Sequence, residues 1–315
     1  MGRNRKKEKG ENLVAPAPLH SPRVPTCDDF LSGMIQARKL TKKLIGLLLT
    51  CLLFVLMLRW FEHSQVYHPD RALTATGAEL GRPFEDVRFK ASDGIDLNGW
   101  FFPADTNSPR ARMAVLVCHG NAGNISHRLD TCAALLATGM NVFLFDYRGY
   151  GLSRGRPSEE GTYRDAQAAY QWLRQKGFPG TNIIAFGESL GGGVAAELAV
   201  RETVGGLVLQ STFTSIPDIG AELFPWLPVR WLGKIRYDTH AKLPRLKIPL
   251  LVMHSRMDEI IPFHHGQKNF AAANEPKLFW ELKGSHNDPL ADRKHFIGGL
   301  ERFLQMGGVG RAPIR

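Results

Sequence analysis

The chain has 315 residues, 43% of them hydrophobic and 22% charged, which is the composition of a globular protein able to bury a full core in one catalytic-size domain plus an appendage. Its net charge is +10, but ten of the 40 Lys/Arg and only four of the 30 Asp/Glu fall within residues 1–43. The body is therefore only mildly basic, and a nucleic-acid partner is excluded as the explanation of the charge.

Residues 1–43 form a basic tail, expected to be cytoplasmic and, over residues 1–33 with their four prolines, disordered. The tail runs into "LIGLLLTCLLFVLML", Leu44–Leu58, which carries no charge. As a helix these residues cover ~22 Å; snorkelling by Lys43 and Arg59, with Trp60 and Phe61 at the interface, makes up the rest of a ~30 Å hydrocarbon core. Residues 44–61 are thus expected to be a transmembrane anchor. The following "RWFEHSQVYHPD" offers no small-x-small cleavage site, which argues against a signal peptide, and Thr50 before Cys51 departs from a lipoprotein box. Met34 is an alternative start. Positive charge stays in the cytoplasm, so the remainder is expected in a periplasm, a lumen or the extracellular space. Residues 62–81 are expected to be a linker. Of the four cysteines only Cys118 and Cys132 lie beyond the anchor, without metal or redox spacing, and no metal site or phosphate loop is expected.

From residue 82 apolar strand-like runs alternate with helical patterns up to residue 306, with 307–315 as a tail. "DVRFKA" and "LNGWFF" flank "SDG" and predict a hairpin turning at Asp93-Gly94. Runs at 113–118, 141–147, 182–187, 206–211, 249–254 and 277–282 are apolar throughout, as parallel strands covered on both faces should be. A helix is predicted from Thr162, with Asp165 as its capping partner, to Gly177, and a last one capped by Asp288-Pro289. The alternation predicts a doubly wound, mostly parallel α/β sheet with an antiparallel N-terminal hairpin and ligands at the carboxyl ends of the strands. Residues 212–246, rich in Trp, Phe and Pro, interrupt the rhythm and are expected to form a small cap or a surface helix and loop. Trp226 and Trp231 suit either core or membrane.

Two stretches fit Gly-x-Ser-x-Gly, "GLSRG" at 151–155 and "GESLG" at 187–191. A nucleophile turn needs a strand leading in and a helix leading out. Only the second has both, with Ile183–Phe186 before it and the Ala/Leu-rich run from Gly193 after it. Ser153 is followed by Pro157 and polar residues, and is expected to be a loop residue. Ser189 needs a base and a carboxylate to orient it, arriving in the order Ser, Asp, His after late strands. Asp258 and His286 stand there; Glu259 competes with Asp258, while His264 and His265 are expected to open a helix. Leu190, directly after the nucleophile, and Asn121 in "HGNAGN" are the candidate oxyanion donors through their N–H groups. His119 is expected to support that loop. Asn124-Ile125-Ser126 is formally a glycosylation sequon.

The set "CHGNAGN", "DYRGYGLSRGRPSEEG", "GESLGGGVA", "MDEIIP" and "GSHND" resembles the α/β-hydrolase superfamily, in its membrane-anchored serine aminopeptidase-like branch, over roughly residues 65–305. The resemblance implies an α/β-hydrolase fold, a triad of Ser189, Asp258 and His286, and an oxyanion hole at Asn121 and Leu190. It implies no metal or organic cofactor. Some relatives are depalmitoylases held by a Cys-rich N-terminus, where this chain has its apolar segment. The expected activity is hydrolysis of acyl esters, thioesters or amides on a small-molecule or lipid-like acyl substrate. An acyltransferase on the same triad and a non-catalytic binding protein on the same fold remain open.

Overall fold

The computed structural model describes residues 27–307 and 309. The tail before Cys27, and residues 308 and 310–315 of the C-terminal tail, lie outside the described residues. The chain divides into two units, Met1–Leu58 and Arg59–Arg315.

The first unit holds most of helix α1, Cys27–Val66. This helix is longer at both ends than the predicted span of 44–61, and it includes residues 27–33 that were expected to be disordered. Lys, Arg, Gln and Leu are all good helix formers and prolong the helix beyond its apolar stretch. Every residue from Leu44 to Met57 is exposed, so the helix is apolar around its whole circumference with no protein surface covering it. It is long and apolar enough to cross a membrane, with a mean hydropathy of 2.4 over its most apolar window.

The second unit begins with the last turns of α1 and the short strand β1 (His68–Pro69). Next come β2 (Glu85–Lys90) and β3 (Asp96–Phe102), joined through Gly94 at φ 83°. They are followed by β4 (Ala114–Cys118), β5 (Ala122–Gly123), α2 (Leu129–Leu136) and β6 (Asn141–Phe145). Helix α3 (Glu159–Gln175), β7 (Ile183–Glu188), α4 (Leu190–Arg201) and β8 (Gly206–Gln210) continue the alternation. Three short helices, α5 (Ile216–Leu223), α6 (Val229–Leu232) and α7 (Thr239–Lys242), occupy the aromatic segment after β8. The chain closes with β9 (Leu250–Ser255), α8 (Phe263–Ala272), β10 (Lys277–Leu282) and α9 (Arg293–Leu304).

Eight strands form one sheet in the order β10-β9-β8-β7-β4-β6-β3-β2. The hairpin β2-β3 and the β3-β6 pair are antiparallel, and the remaining pairs are parallel. Alternate residues of each strand serve the two faces. Ala114, Leu116 and Cys118 of β4 pack with α3 and α4, whereas Val115 and Val117 pack with α2 and α9. Both faces are covered, which is why these strands read as unbroken apolar runs.

Residues 62–81, expected to be a linker, make specific contacts with the body. There β1 pairs with β5, and the buried Tyr67 places its hydroxyl 3.0 Å from that of Tyr237. Helix α3 starts at Glu159 and not at Thr162, because Ser158 caps it by accepting from Gly161 N–H, and two glutamates follow at the positive end of the dipole. Thr162 and Asp165 are buried instead, Asp165 against Arg148. The last helix starts at Arg293, where Asp292 accepts from His295 N–H; Asp288 lies in a turn one step earlier.

Candidate active site

The register of the sheet aligns the carboxyl ends of its central strands. Cys118 lies opposite Gly187, Glu188 opposite Gln210, Gln210 opposite Met253, and Ser255 opposite Leu282. The chain leaves these ends at His119, Ser189, Ser211, Arg256 and Lys283, so residues far apart in sequence emerge along one edge.

Ser189 occupies the turn between β7 and α4 with φ 52° and ψ −115°, a conformation that a residue with a Cβ adopts only under constraint. Its N–H is held by Gln210 O at 2.9 Å, and its carbonyl accepts from Gly192 N–H at 3.0 Å. Glycines make the turn possible. A Cβ at Gly191 would collide with the Cys118 carbonyl, and one at Gly192 with the Thr212 side chain. The Ser189 hydroxyl does not cap α4, although it stands at that helix's N-terminus.

His286 and Asp258 are brought together directly. His286 Nδ1 lies 2.8 Å from Asp258 Oδ2 and 2.9 Å from Oδ1, which assigns the ring proton to Nδ1 and leaves Nε2 as a base. Glu259 does not take the ring; its Oε2 accepts from the backbone N–H of His286 at 3.0 Å. Asp258 also accepts from Ile260 and Ile261 N–H. Ser189 reaches the same edge of the sheet through strand register.

His254 was not singled out in the sequence. It ends an apolar run and is fully buried, with Nε2 2.9 Å from Ile261 O and 3.4 Å from Asp258 Oδ2. Asp258 thus stands between two histidines. Burial would raise its pKa, but the bonds from His254 and His286 hold its carboxyl well below the usual carboxylate range. A buried histidine closing a hydrophobic strand was the signal available.

The loop after β4 is braced from several sides. Asn121 donates its side-chain amide to Val66 O, and its carbonyl accepts from His68 N–H and the Tyr150 hydroxyl. What it can offer a ligand is its backbone N–H. Leu190, the first residue of α4, is buried at the positive end of that helix. His119 is buried and donates from Nδ1 to Gly120 O at 2.7 Å, so it supports the loop from within. Arg128 bridges Glu188 and Ala122 O. The sequon residue Asn124 is buried and donates its amide to Asp70 O and Ala72 O, so the amide is committed to the fold.

Ser153 is distant from this chemistry in role. It is buried, accepts from Asn98 N–H at 2.9 Å and donates to Asp146 O at 2.7 Å, tying the "GLSRG" loop to β3 and to the residue that follows β6. A further cluster joins Glu222 to His264 and His265, whose Nε2 atoms lie 3.0 and 3.4 Å from Glu222 Oε1. His265 Nδ1 accepts from Thr214 N–H, which places its ring proton on Nε2, facing the carboxylate. That tautomer makes the Nε2 a donor and not a metal ligand.

The chain belongs to the α/β-hydrolase superfamily, whose eight-stranded, mostly parallel sheet it has. A family model described as serine aminopeptidase, S33, matches residues 109–243. The chain is 39% identical over 254 residues to Rv2307c, an uncharacterized protein of Mycobacterium tuberculosis, covering 79% of this chain and 90% of that one. It is 33% identical over 261 residues to the alpha/beta hydrolase domain-containing protein WAV2 of Arabidopsis thaliana, covering 74% of this chain and 84% of that one. Among solved structures, the esterase Pf2001 of Pyrococcus furiosus superposes with a TM-score of 0.62 at 22% identity, covering 76% of this chain and 97% of that one.

Proposed function

We propose that the protein is a membrane-anchored serine hydrolase that cleaves acyl ester, thioester or amide bonds. Ser189 Oγ attacks the acyl carbonyl while its proton passes to His286 Nε2, and Asp258 orients the imidazole and balances its charge. The N–H groups of Leu190 and Asn121 take the developing oxyanion. Collapse expels the leaving group, which receives the proton from His286. A water deprotonated by His286 then attacks the acyl-Ser189, releasing the acid and restoring the hydroxyl. The observation that carries this reading is the contact of 2.8 Å between His286 Nδ1 and Asp258 Oδ2, at the sheet edge where the turn holds Ser189 at φ 52°.

Helix α1 is the anchor in this proposal, with residues 1–43 on the cytoplasmic side and the hydrolase body on the other. A small-molecule or lipid-like acyl group is the substrate. The test is labelling by a fluorophosphonate probe, abolished in Ser189→Ala and His286→Ala and retained in Ser153→Ala. Labelling that survives Ser189→Ala but is lost in Ser153→Ala overturns the assignment. An alkaline phosphatase fusion after residue 70 tests the topology, and an inactive fusion would put the body in the cytoplasm.

A further inference from the structure

The segment between β8 and β9 exposes large apolar side chains that globular surfaces seldom leave in water together. Trp231 is 91% exposed, Trp226 75% and Leu223 58%. Arg230 and Lys234 stand exposed beside them. The residues directly after the apolar run are fastened to this segment. Arg59, next in the chain to Leu58, donates from Nη1 to Leu232 O at 2.8 Å. Glu62 Oε1 accepts from the N–H groups of Lys234 and Ile235 at 2.6 and 2.9 Å. The Phe61 ring meets Phe224 edge-on at 5.8 Å.

These contacts fix a depth. If residues 44–61 cross a bilayer, Arg59 and Glu62 stand at its interface, and α6 is held there with them by hydrogen bonds to the backbone of its last residue and of the two residues beyond Gly233. Tryptophan is the side chain that this layer favours, having an apolar body and an N–H to donate, and lysine and arginine nearby meet lipid phosphates. We infer that the face of Leu223, Trp226, Trp231 and Leu232 is seated in the interfacial layer of the membrane, as a second attachment of the hydrolase body beside α1. The inference rests on reading α1 as a membrane span. Helix α5 springs from the chain just past the carboxyl end of β8, the strand that holds Ser189 N–H, so this attachment brings the candidate site toward acyl chains presented by the bilayer.

The full chain, reconstituted in nanodiscs of brominated phosphatidylcholine, reports the position of its indoles by fluorescence quenching. Wild type is compared with Trp60→Phe and with Trp226→Phe/Trp231→Phe, in which phenylalanine keeps the face apolar. The double variant is expected to lose roughly two thirds of the quenchable emission, and Trp60→Phe the remaining third, as three interfacial indoles of similar yield require. If Trp60→Phe removes all of the quenching and the double variant none, the second attachment is wrong while the span stands. If wild type shows no quenching, the span fails and the attachment with it. Indoles at 226 and 231 that are shielded from aqueous iodide yet not quenched by bromine would show a second copy or another protein on this face, and would also overturn the inference.

Discussion

Arg128 Nε donates to Glu188 Oε2 at 2.9 Å, and the same guanidinium reaches Ala122 O at 3.0 Å. One residue thereby ties the position just before Ser189 to the loop that carries Asn121, and so sets the spacing between the two candidate oxyanion donors. Arg128→Ala is expected to lower kcat about tenfold with KM little changed, since small displacements at a reacting centre cost this much without weakening ground-state binding. Arg128→Lys should recover only part of the loss, because one ammonium cannot span two acceptors as a guanidinium does. Steady-state kinetics on an activated ester checks both, and an unchanged kcat in Arg128→Ala would show that the clasp does not position the site.

The glycines after Ser189 are required by close approach. A Cβ at Gly191 would collide with the carbonyl of Cys118, which is backbone and cannot swing away, whereas Gly307 has open space around it. Gly191→Ala is expected to cost about 3 kcal/mol or more, or to abolish folding, while Gly307→Ala is close to neutral. Thermal unfolding and fluorophosphonate labelling of the two variants provide the measurement.

His254 should show itself through acid stability. The Asp258 carboxyl is held below the usual carboxylate range, so it stabilises the fold above its unfolded pKa of about 3.9, and this contribution is lost as pH falls through the folded value. His254→Phe keeps the ring's bulk but removes the donor facing Asp258 and Ile261 O. The folded pKa of Asp258 then rises toward its unfolded value, and the acid-unfolding midpoint moves to higher pH. Circular dichroism across an acid titration reads the shift. An unmoved midpoint would mean that His254 fills space only.

Asp146 works in the opposite sense. It lies beneath the loop after β4, with Oδ1 accepting from Ile125 N–H and standing 3.6 Å from His119 Nε2. Burial pushes Asp146 up to about 8 and His119 down to about 3, so the pair stands neutral near pH 7. A raised folded pKa gives stability that is complete below the unfolded value of about 3.9 and is lost as pH rises through about 8. Asp146→Asn keeps the acceptor for Ile125 and removes the ionisation. Below about pH 6.5 the lowered His119 has the opposite sign and cancels this slope, so the wild type's unfolding free energy is expected to fall by about 2 kcal/mol only between about pH 6.5 and 8, a fall that Asp146→Asn lacks, as denaturant titrations at each pH read out. Parallel slopes for the two proteins would refute the assignment.

Much of the fold was legible along the chain, because buried parallel strands are apolar on both faces and announce themselves by composition alone. The preference for Ser189 over Ser153 was equally local, since strand, turn and helix are contiguous around one and not the other. Asp258 and His286 were legible as polar residues shortly after two late strands. Helix starts were less so: Ser158 and Asp292 cap α3 and α9 by accepting from Gly161 and His295 N–H, but Thr162 and Asp288 are equally good caps by residue type; Thr162 is drawn into the core, while Asp288 stands in the turn before α9. The role of 62–81 was hidden because its partners, Ala122, Gly123 and Tyr237, lie far along the chain.

Residue order thus settled which segments become strands and helices and which serine stands between one of each, because these depend on neighbours within a turn or two. Only the folded chain settled that Asp258 and not Glu259 faces the His286 ring, that His254 backs the same carboxylate, and that Arg128 clasps Glu188. It also settled that Trp226 and Trp231 face outward and that Arg59 and Glu62 hold the segment bearing them. Those relations come from strand register and from contacts between residues remote in sequence, which no local periodicity encodes.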